Sequence, residues 1–135
     1  MKTEPVEVLY QRVIPTCPLE PTLTMEIIET GDTWKCLVDS GASMCIFPKT
    51  VGILLNVDYH RPPDELPRCA HGEKIRCWKK QIKVKIKELA DEFMLTIYCS
   101  DIDGGIPLLG RESFFERYSI RFEESEKKMF ISKKN

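Results

Sequence analysis

The stretch that decides the fold is KCLVDSGASMCIFP, residues 35–48. Its first half is an apolar run that ends at a single acid, Asp39, and four small residues follow directly before the chain turns apolar again. A strand that heads for a core and ends on a carboxylate is unusual, because burial removes the hydration of the charge. Taken alone, DSGAS also fits an Asx turn or a helix N-cap, so its meaning depends on the rest of the chain.

The residues before this acid predict a β-hairpin. Residues 23–27 alternate between apolar and polar side chains, which is the period of a half-buried strand. The sequence TGDT at 30–33 supplies turn chemistry, and residues 34–38 then alternate again. The second strand of this hairpin therefore delivers Asp39.

The remainder of the chain predicts more strands and one helix. Apolar residues alternate with lysines over 82–87, a further apolar strand covers 93–99, and a hairpin closes the chain over 119–132. Residues 111–118 (RESFFERY) predict one or two turns of helix, whereas 49–67 fits either a helical turn or a strand. This pattern indicates a mainly β fold, a small barrel or sandwich, with one short C-terminal helix.

Size and composition limit the organisation and the partners. A chain of 135 residues, 42% of them hydrophobic, is expected to form one domain, here residues 21–135 after a Pro-rich N-terminal arm, residues 1–20. The net charge of −1 gives no general attraction to nucleic acid or to an anionic membrane. No apolar run reaches the roughly 20 residues that span a bilayer. The first eleven residues are too polar for a signal peptide, so a cytoplasmic location is expected.

The six cysteines favour reduced thiols. None of them forms a C-x-x-C pair, and the one mixed cluster, Cys69, His71 and Cys77, matches no common zinc spacing. Disulfides are also uncommon in a reducing compartment. We therefore expect neither a metal site nor a cofactor.

A basic stripe allows two interpretations. It consists of Lys79, Lys80, Lys83, Lys85 and Lys87. Such a stripe could bind nucleic-acid phosphates, or it could be the solvated face of a strand on which lysines discourage aggregation. No aromatic platform interleaves with the lysines, so we favour the solvated face and expect no nucleic-acid partner.

Three motifs in order give a resemblance to a known family. CLVDSGAS is followed by the glycine turn AHGEK (70–74) and then by PLLGRESF, in which Gly110 lies 71 residues after Asp39. In this order and spacing the sequence resembles the retropepsin-like aspartic proteases, the single-lobe enzymes of retroviruses, retroelements and their relatives. The resemblance covers about residues 23–132. It implies a small, closed, barrel-like acid-protease lobe.

The resemblance assigns roles to individual residues. Asp39 would be the catalytic carboxylate. The active-site loop would be completed by Ser40, Gly41 and Ala42, the substrate-binding flap would be Ala70, His71, Gly72 and Glu73, and the supporting residues would be Leu108, Leu109, Gly110 and Arg111. One departure concerns Ser43, because many retroviral members have an acid there that pairs with the arginine at the position of Arg111.

The single D-[ST]-G motif implies a homodimer. This chemistry uses two carboxylates that share a proton, and the chain contains one such motif, so each of two subunits would supply an Asp39. The resemblance thus implies an endopeptidase that hydrolyses polypeptide substrates with an activated water and without a metal or cofactor. The alternative is a retropepsin-like dimerisation or peptide-binding module with weak or no catalysis.

Overall fold

The computed structural model of the protein describes residues 4–134. This part of the chain forms nine β-strands and one short α-helix, joined by turns. The elements in chain order are β1 (Val6–Leu9), β2 (Thr22–Ile27), β3 (Thr33–Val38), β4 (Ile46–Phe47), α1 (Lys49–Leu54), β5 (Cys77–Ile86), β6 (Asp91–Ser100), β7 (Leu108–Leu109), β8 (Tyr118–Glu123) and β9 (Lys128–Lys133).

Six of the strands form a closed barrel in the order β2-β3-β7-β4-β6-β5. The barrel closes because β2 pairs with β3 on one side and with β5 on the other. Two neighbouring pairs are parallel, β3 with β7 and β4 with β6, and the other pairs are antiparallel. The prediction of a mainly β fold is confirmed, and the architecture is a barrel with a small additional sheet.

The barrel interior is filled by side chains that alternate along the strands. On β5, Ile82, Val84 and Ile86 are buried, whereas Lys83 and Lys85 between them are exposed. Because successive residues of a strand point to opposite faces, this period of two separates a core face from a solvent face. Full burial of each such apolar side chain contributes about 1.5–3 kcal/mol. Two lysines of the basic stripe thus lie on the outside of the barrel.

The three remaining strands form a second sheet in the order β1-β9-β8. Strands β8 and β9 are the closing hairpin that the sequence predicts, with Ile120 opposite Ile131. Strand β1 belongs to the Pro-rich arm and pairs along its whole length with β9. Val8 and Tyr10 of the arm are buried, and its prolines at 15 and 18 come only after this strand. The proposed domain boundary near residue 20 remains a prediction.

Helix α1 answers the question that the sequence left open for residues 49–67. It follows Pro48, which has an extended backbone, and it buries Val51 and Gly52 against the barrel. A Cβ placed on Gly52 would lie 1.8 Å from the Tyr59 hydroxyl, so only glycine fits at this contact. Within residues 4–134 no helix combines the length and apolar character needed to cross a membrane.

The helix predicted at residues 111–118 is shorter and less regular than expected. It is reduced to one turn, Arg111–Phe115, in which Glu112 is extended and Ser113 is left-handed with a φ of 74°. The amides of Arg111 and Glu112 donate to the carbonyls of Ala42 and Ser43. These hydrogen bonds to the DSGAS loop fix the backbone of Arg111 and Glu112 in a conformation from which a regular helix cannot start.

Candidate active site

Strand β3 carries Asp39 to the rim of the barrel. Its residues Cys36 and Val38 are buried, and its last residues lie parallel to β7. The amide of Asp39 donates to the carbonyl of Leu109 at 3.0 Å, which is the final hydrogen bond between the two segments before the chain turns. The amide of Ala42 then donates to the Asp39 carbonyl at 3.2 Å and closes the turn. The side chain of Asp39 is therefore fixed at a strand end and is half-buried.

The carboxylate of Asp39 accepts a hydrogen bond from the Gly41 amide, with 2.9 Å between Oδ1 and the nitrogen. A Cβ on Gly41 would lie 3.2 Å from the same oxygen, so a larger residue would press on the carboxylate. Among the described residues, neither a cation nor a second donor binds the carboxylate. Its other oxygen is available to a partner outside the chain.

The loop that carries Asp39 is braced from behind by Gly110. A Cβ on this glycine would lie 2.3 Å from the carbonyl oxygen of Met44 and 2.8 Å from that of Ala42. Only a residue without a side chain allows the two backbones to come so close. The next amide, that of Arg111, donates to Ala42 at 2.9 Å. The segment of residues 108–110 thus sets the position of the loop that carries Asp39.

A buried thiol lies beneath the contact between Gly110 and the loop that carries Asp39. Cys45 is fully buried, and its sulfur accepts a hydrogen bond from the Gly110 amide at 3.3 Å. Burial raises the pKa of Cys45 to about 11, although hydrogen bonds from the backbone oppose the shift. The thiol therefore stays neutral and acts as packing under the loop rather than as a nucleophile.

A cleft of about 630 Å³ opens at the Asp39 carboxylate. Six of the residues singled out by the sequence line it, namely Asp39, Gly41, Ala42, Ala70, Leu108 and Arg111. Six further residues complete the wall, namely Ser43, Ile46, Pro67, Arg68, Cys69 and Ile75. The wall combines apolar side chains with one acid and two arginines.

The hairpin that carries the glycine turn contributes residues to the cleft wall. The amide of Cys69 donates to Glu73 at 2.8 Å, and the amide of Gly72 donates to Cys69 at 2.9 Å, which makes a tight hairpin. Gly72 has a φ of +91°, a value that strongly favours glycine. Ala70 lines the cleft, whereas His71 pairs with Glu73 at 3.1 Å and neither of them is part of the wall.

The structure separates the remaining predicted residues from the cleft. Ser40 is exposed at the turn and does not line the cleft, while Leu109 and Gly110 are buried behind the loop. Sequence reasoning missed Pro67, Arg68 and Cys69 as wall residues. The sequence could have indicated these residues, because they come directly before the AHGEK turn and residues on the arms of a hairpin lie beside its tip.

Arg111 has a free guanidinium among the described residues. Its backbone amide is fixed to Ala42, but its side chain makes no hydrogen bond or ion pair within residues 4–134. Ser43 lies on the same wall and offers no charge. In contrast, the Arg68 guanidinium donates to the Gly72 carbonyl at 3.0 Å.

The other candidate sites stay separate from this cleft. Trp78 is buried, and its indole donates to the Arg61 carbonyl at 2.9 Å, so it is a core residue. In the described part of the chain no group of three or more His, Cys, Asp or Glu side chains is placed to hold a metal ion. The cleft at Asp39 offers an accessible carboxylate that can take part in acid-base chemistry.

Comparisons with known proteins agree with this architecture. No protein-family model matches the chain, and no curated protein matches it. Among solved structures, a retropepsin-like aspartic protease from Rickettsia conorii matches with a TM-score of 0.65 and 21% identity, covering 98% of this chain and 96% of that one. The EIAV protease, solved with the inhibitor HBY-793, matches with a TM-score of 0.56 and 16% identity, covering 77% and 93%. The chain has the retropepsin-like fold of these aspartic proteases.

Proposed function

We propose that the protein is a homodimeric aspartic endopeptidase in which each subunit contributes Asp39. The observation that carries the proposal is the carboxylate itself, which is half-buried at the cleft with one oxygen bound to the Gly41 amide. Asp39 is also the one acidic side chain of the cleft wall in the described residues. A carboxylate in such a place is suited to acid-base catalysis. Among the described residues no cation forms an ion pair with it.

The second carboxylate comes from a second copy of the chain. Two carboxylates about 3 Å apart share one proton, because both cannot carry a charge at that distance. A two-fold axis beside the loop of residues 39–43 brings Asp39 against its counterpart, since a C2 interface pairs the same surface of both subunits. Ser40 is exposed next to this axis, and we propose that its hydroxyl grips the backbone of the partner loop.

The pair hydrolyses a peptide bond through a water molecule. The ionised carboxylate takes a proton from the water, and the water oxygen attacks the scissile carbonyl carbon. The protonated carboxylate gives its proton to the carbonyl oxygen. When the tetrahedral intermediate collapses, the C–N bond breaks and the leaving nitrogen takes a proton from the carboxylate that accepted one from water. A hydroxyl of the intermediate returns its proton to the other carboxylate, which restores the starting pair. No covalent enzyme intermediate is needed.

The substrate is an extended polypeptide that lies in the cleft. Backbone hydrogen bonds to an extended peptide provide affinity, and alternate side chains enter pockets that provide selectivity. The turn of residues 69–73 would act as a flap that covers the peptide, with Ala70 nearest to it. Leu108 would form part of a side-chain pocket, while Leu109 and Gly110 support the loop from behind. We place this activity in the cytoplasm.

The test compares the wild type with Asp39→Asn in a peptide-library digest read by mass spectrometry between about pH 4 and 7. Asp103→Asn is the matched control, because it makes the same change on an exposed acid outside the cleft. We expect cleavage by the wild type and by the control, with an optimum below neutral pH, and none by Asp39→Asn. Sedimentation should show that all three proteins remain dimers.

The outcomes separate the two functions that the sequence allows. Cleavage that persists in Asp39→Asn would rule out this mechanism. A verified dimer that binds library peptides but cleaves none would support the peptide-binding module instead. A statine-type inhibitor should block the enzyme and a chelator should not, because the mechanism uses a carboxylate-bound water and no metal.

A further inference from the structure

The cleft carries more positive than negative side chains. Its wall contains two arginines, Arg68 and Arg111, and a single carboxylate, Asp39. In the proposed dimer the two Asp39 carboxylates share one proton, which removes part of the negative charge while both copies of each arginine stay charged. An arginine-rich cleft attracts anionic groups and repels cationic ones.

The two arginines reach the cleft wall from different segments of the chain. Arg111 extends from the backbone position that its amide fixes against Ala42, next to the loop that carries Asp39. Arg68 lies on the arm of the hairpin that carries the glycine turn, where it donates one hydrogen bond to the Gly72 carbonyl. A guanidinium has five donors, so even Arg68 keeps most of its capacity, and Arg111 keeps all of it within the described residues.

Arg111 is the arginine with the stronger claim to a ligand. It is exposed on the cleft wall, and in residues 4–134 no acid pairs with it. Ser43 on the same wall is small and neutral, so it leaves space for an incoming group and does not neutralise the charge of Arg111. A planar guanidinium binds a carboxylate with two parallel hydrogen bonds, a geometry that lysine cannot reproduce.

The rest of the wall defines what stands beside that carboxylate. Ile46, Ile75 and Leu108 supply apolar surface on the same wall as the arginines and Asp39. A peptide that matches this wall therefore carries apolar side chains next to an acidic one. Lysine and arginine side chains at the same positions would meet a like charge.

We propose that Arg111 is a specificity residue that selects polypeptides with a glutamate or aspartate within a few residues of the scissile bond. This inference rests on the proposed peptidase function and names its substrate class. Arg68 assists from the hairpin. Acidic substrates gain affinity through the guanidinium, and the gain weakens as salt screens the pair.

The test uses octapeptides of alanine and leucine in which one glutamate, or one glutamine as its neutral isostere, is moved along the central six positions. Cleavage rates are measured for the wild type, Arg111→Gln and Arg111→Lys. Lys83→Gln is the matched control, because it removes a positive charge on the outer face of β5. We expect the wild type to prefer glutamate about tenfold in kcat/KM at one or two positions.

Arg111→Gln should reduce the ratio of kcat/KM for glutamate peptides over glutamine peptides to near unity, since only the glutamate peptides use the charge. Arg111→Lys should restore part of the preference, and Lys83→Gln should not change it. Cleavage without a glutamate preference would overturn the inference and leave the peptidase intact. An unchanged preference in Arg111→Gln, together with a weaker dimer in sedimentation, would instead assign Arg111 to the interface.

A binding measurement keeps the inference testable if no peptide is cleaved, an outcome that would count against the peptidase itself. The same octapeptides, labelled with fluorescein, are titrated with Asp39→Asn and with the double variant Asp39→Asn/Arg111→Gln. Tighter binding of glutamate peptides by the single variant alone would support the role of Arg111. Equal binding of glutamate and glutamine peptides, or no binding of either, would overturn it.

Discussion

Replacing Gly110 with alanine would place a methyl group against backbone atoms of the loop that carries Asp39. The new Cβ would lie 2.3 Å from the Met44 carbonyl oxygen and 2.8 Å from that of Ala42. Neither oxygen belongs to a side chain that can rotate away, and the Ala42 carbonyl also accepts the Arg111 amide. The loop and β7 must therefore separate, which breaks the hydrogen bond between Asp39 and Leu109.

The size of the effect follows from this overlap. Overpacking a well-filled site costs about 1–3 kcal/mol, and a double clash with backbone belongs at the upper end. The lost hydrogen bond adds about 1 kcal/mol, so we expect the free energy of unfolding to fall by about 3–4 kcal/mol. With a urea m-value of about 2 kcal/mol/M, the midpoint shifts down by about 1.5–2 M. Urea unfolding followed by tryptophan fluorescence at fixed protein concentration measures this shift.

The control variant is Gly31→Ala. Gly31 has a φ of +76°, but a Cβ there would meet no atom within 4 Å. It should lose only the conformational term of about 1 kcal/mol, so its midpoint should move by about 0.5 M. If Gly110→Ala shifts the midpoint no more than Gly31→Ala and leaves the proposed peptidase activity unchanged, then Gly110 does not set the position of the loop.

Three further predictions concern the barrel and its thiols. Arg117→Ala should lower the free energy of unfolding by about 2 kcal/mol in urea titrations, because Arg117 binds Asp91 through two hydrogen bonds of 3.0 and 3.2 Å in a half-buried pair. Burial raises the pKa of Asp91, but hydrogen bonds from Arg117 and Tyr118 outweigh it and hold that pKa below the usual range. A lowered pKa in the folded state stabilises above the ordinary aspartate value, so the stability lost in Asp91→Asn should be full above about pH 5 and should shrink as the pH falls through the folded value. A thiol reagent should label only the half-buried Cys17 and Cys69 rapidly in the folded protein, and rapid labelling of Cys45 would contradict its burial.

The features predicted from the sequence are those that depend on neighbouring residues. The alternation of Ile82, Val84 and Ile86 with lysines identifies β5, because one sheet face is buried and the other is solvated. Gly31 and Gly72 mark turns, and both have the positive φ that such turns require. The closing hairpin follows from the same local rules.

The features that escaped prediction depend on residues far apart in the chain. The parallel pairing of β3 with β7 joins Leu37 to Leu108, and nothing in either short segment encodes the register of the other. The sequence predicts an arm where β1 forms, because the strand with which β1 pairs, β9, lies far away in the chain. The place of Arg68 and Cys69 before the AHGEK turn indicates a hairpin arm, but only tertiary packing brings that arm to the cleft wall.

The irregular turn at Arg111–Phe115 shows the same limit in a local segment. Its sequence has helical character, and propensity alone predicted a helix. Hydrogen bonds from its first two amides to Ala42 and Ser43 set the backbone instead, and Ser113 takes a left-handed conformation. Tertiary contacts with the loop that carries Asp39 therefore override the local preference for a helix at this position.

The acid at the end of β3 is held by backbone geometry and not by a counter-charge. The parallel pairing ends at the hydrogen bond between Asp39 and Leu109, the chain turns, and the Gly41 amide then meets one carboxylate oxygen. A half-buried carboxylate is stable only if its oxygens accept hydrogen bonds from the protein or from water. An apolar residue at this position would have no such requirement. The fold thus leaves one carboxylate oxygen without a partner among the described residues, at the mouth of a cleft. A second Asp39, a shared proton and a water molecule would satisfy it, and these are the components of the proposed peptidase.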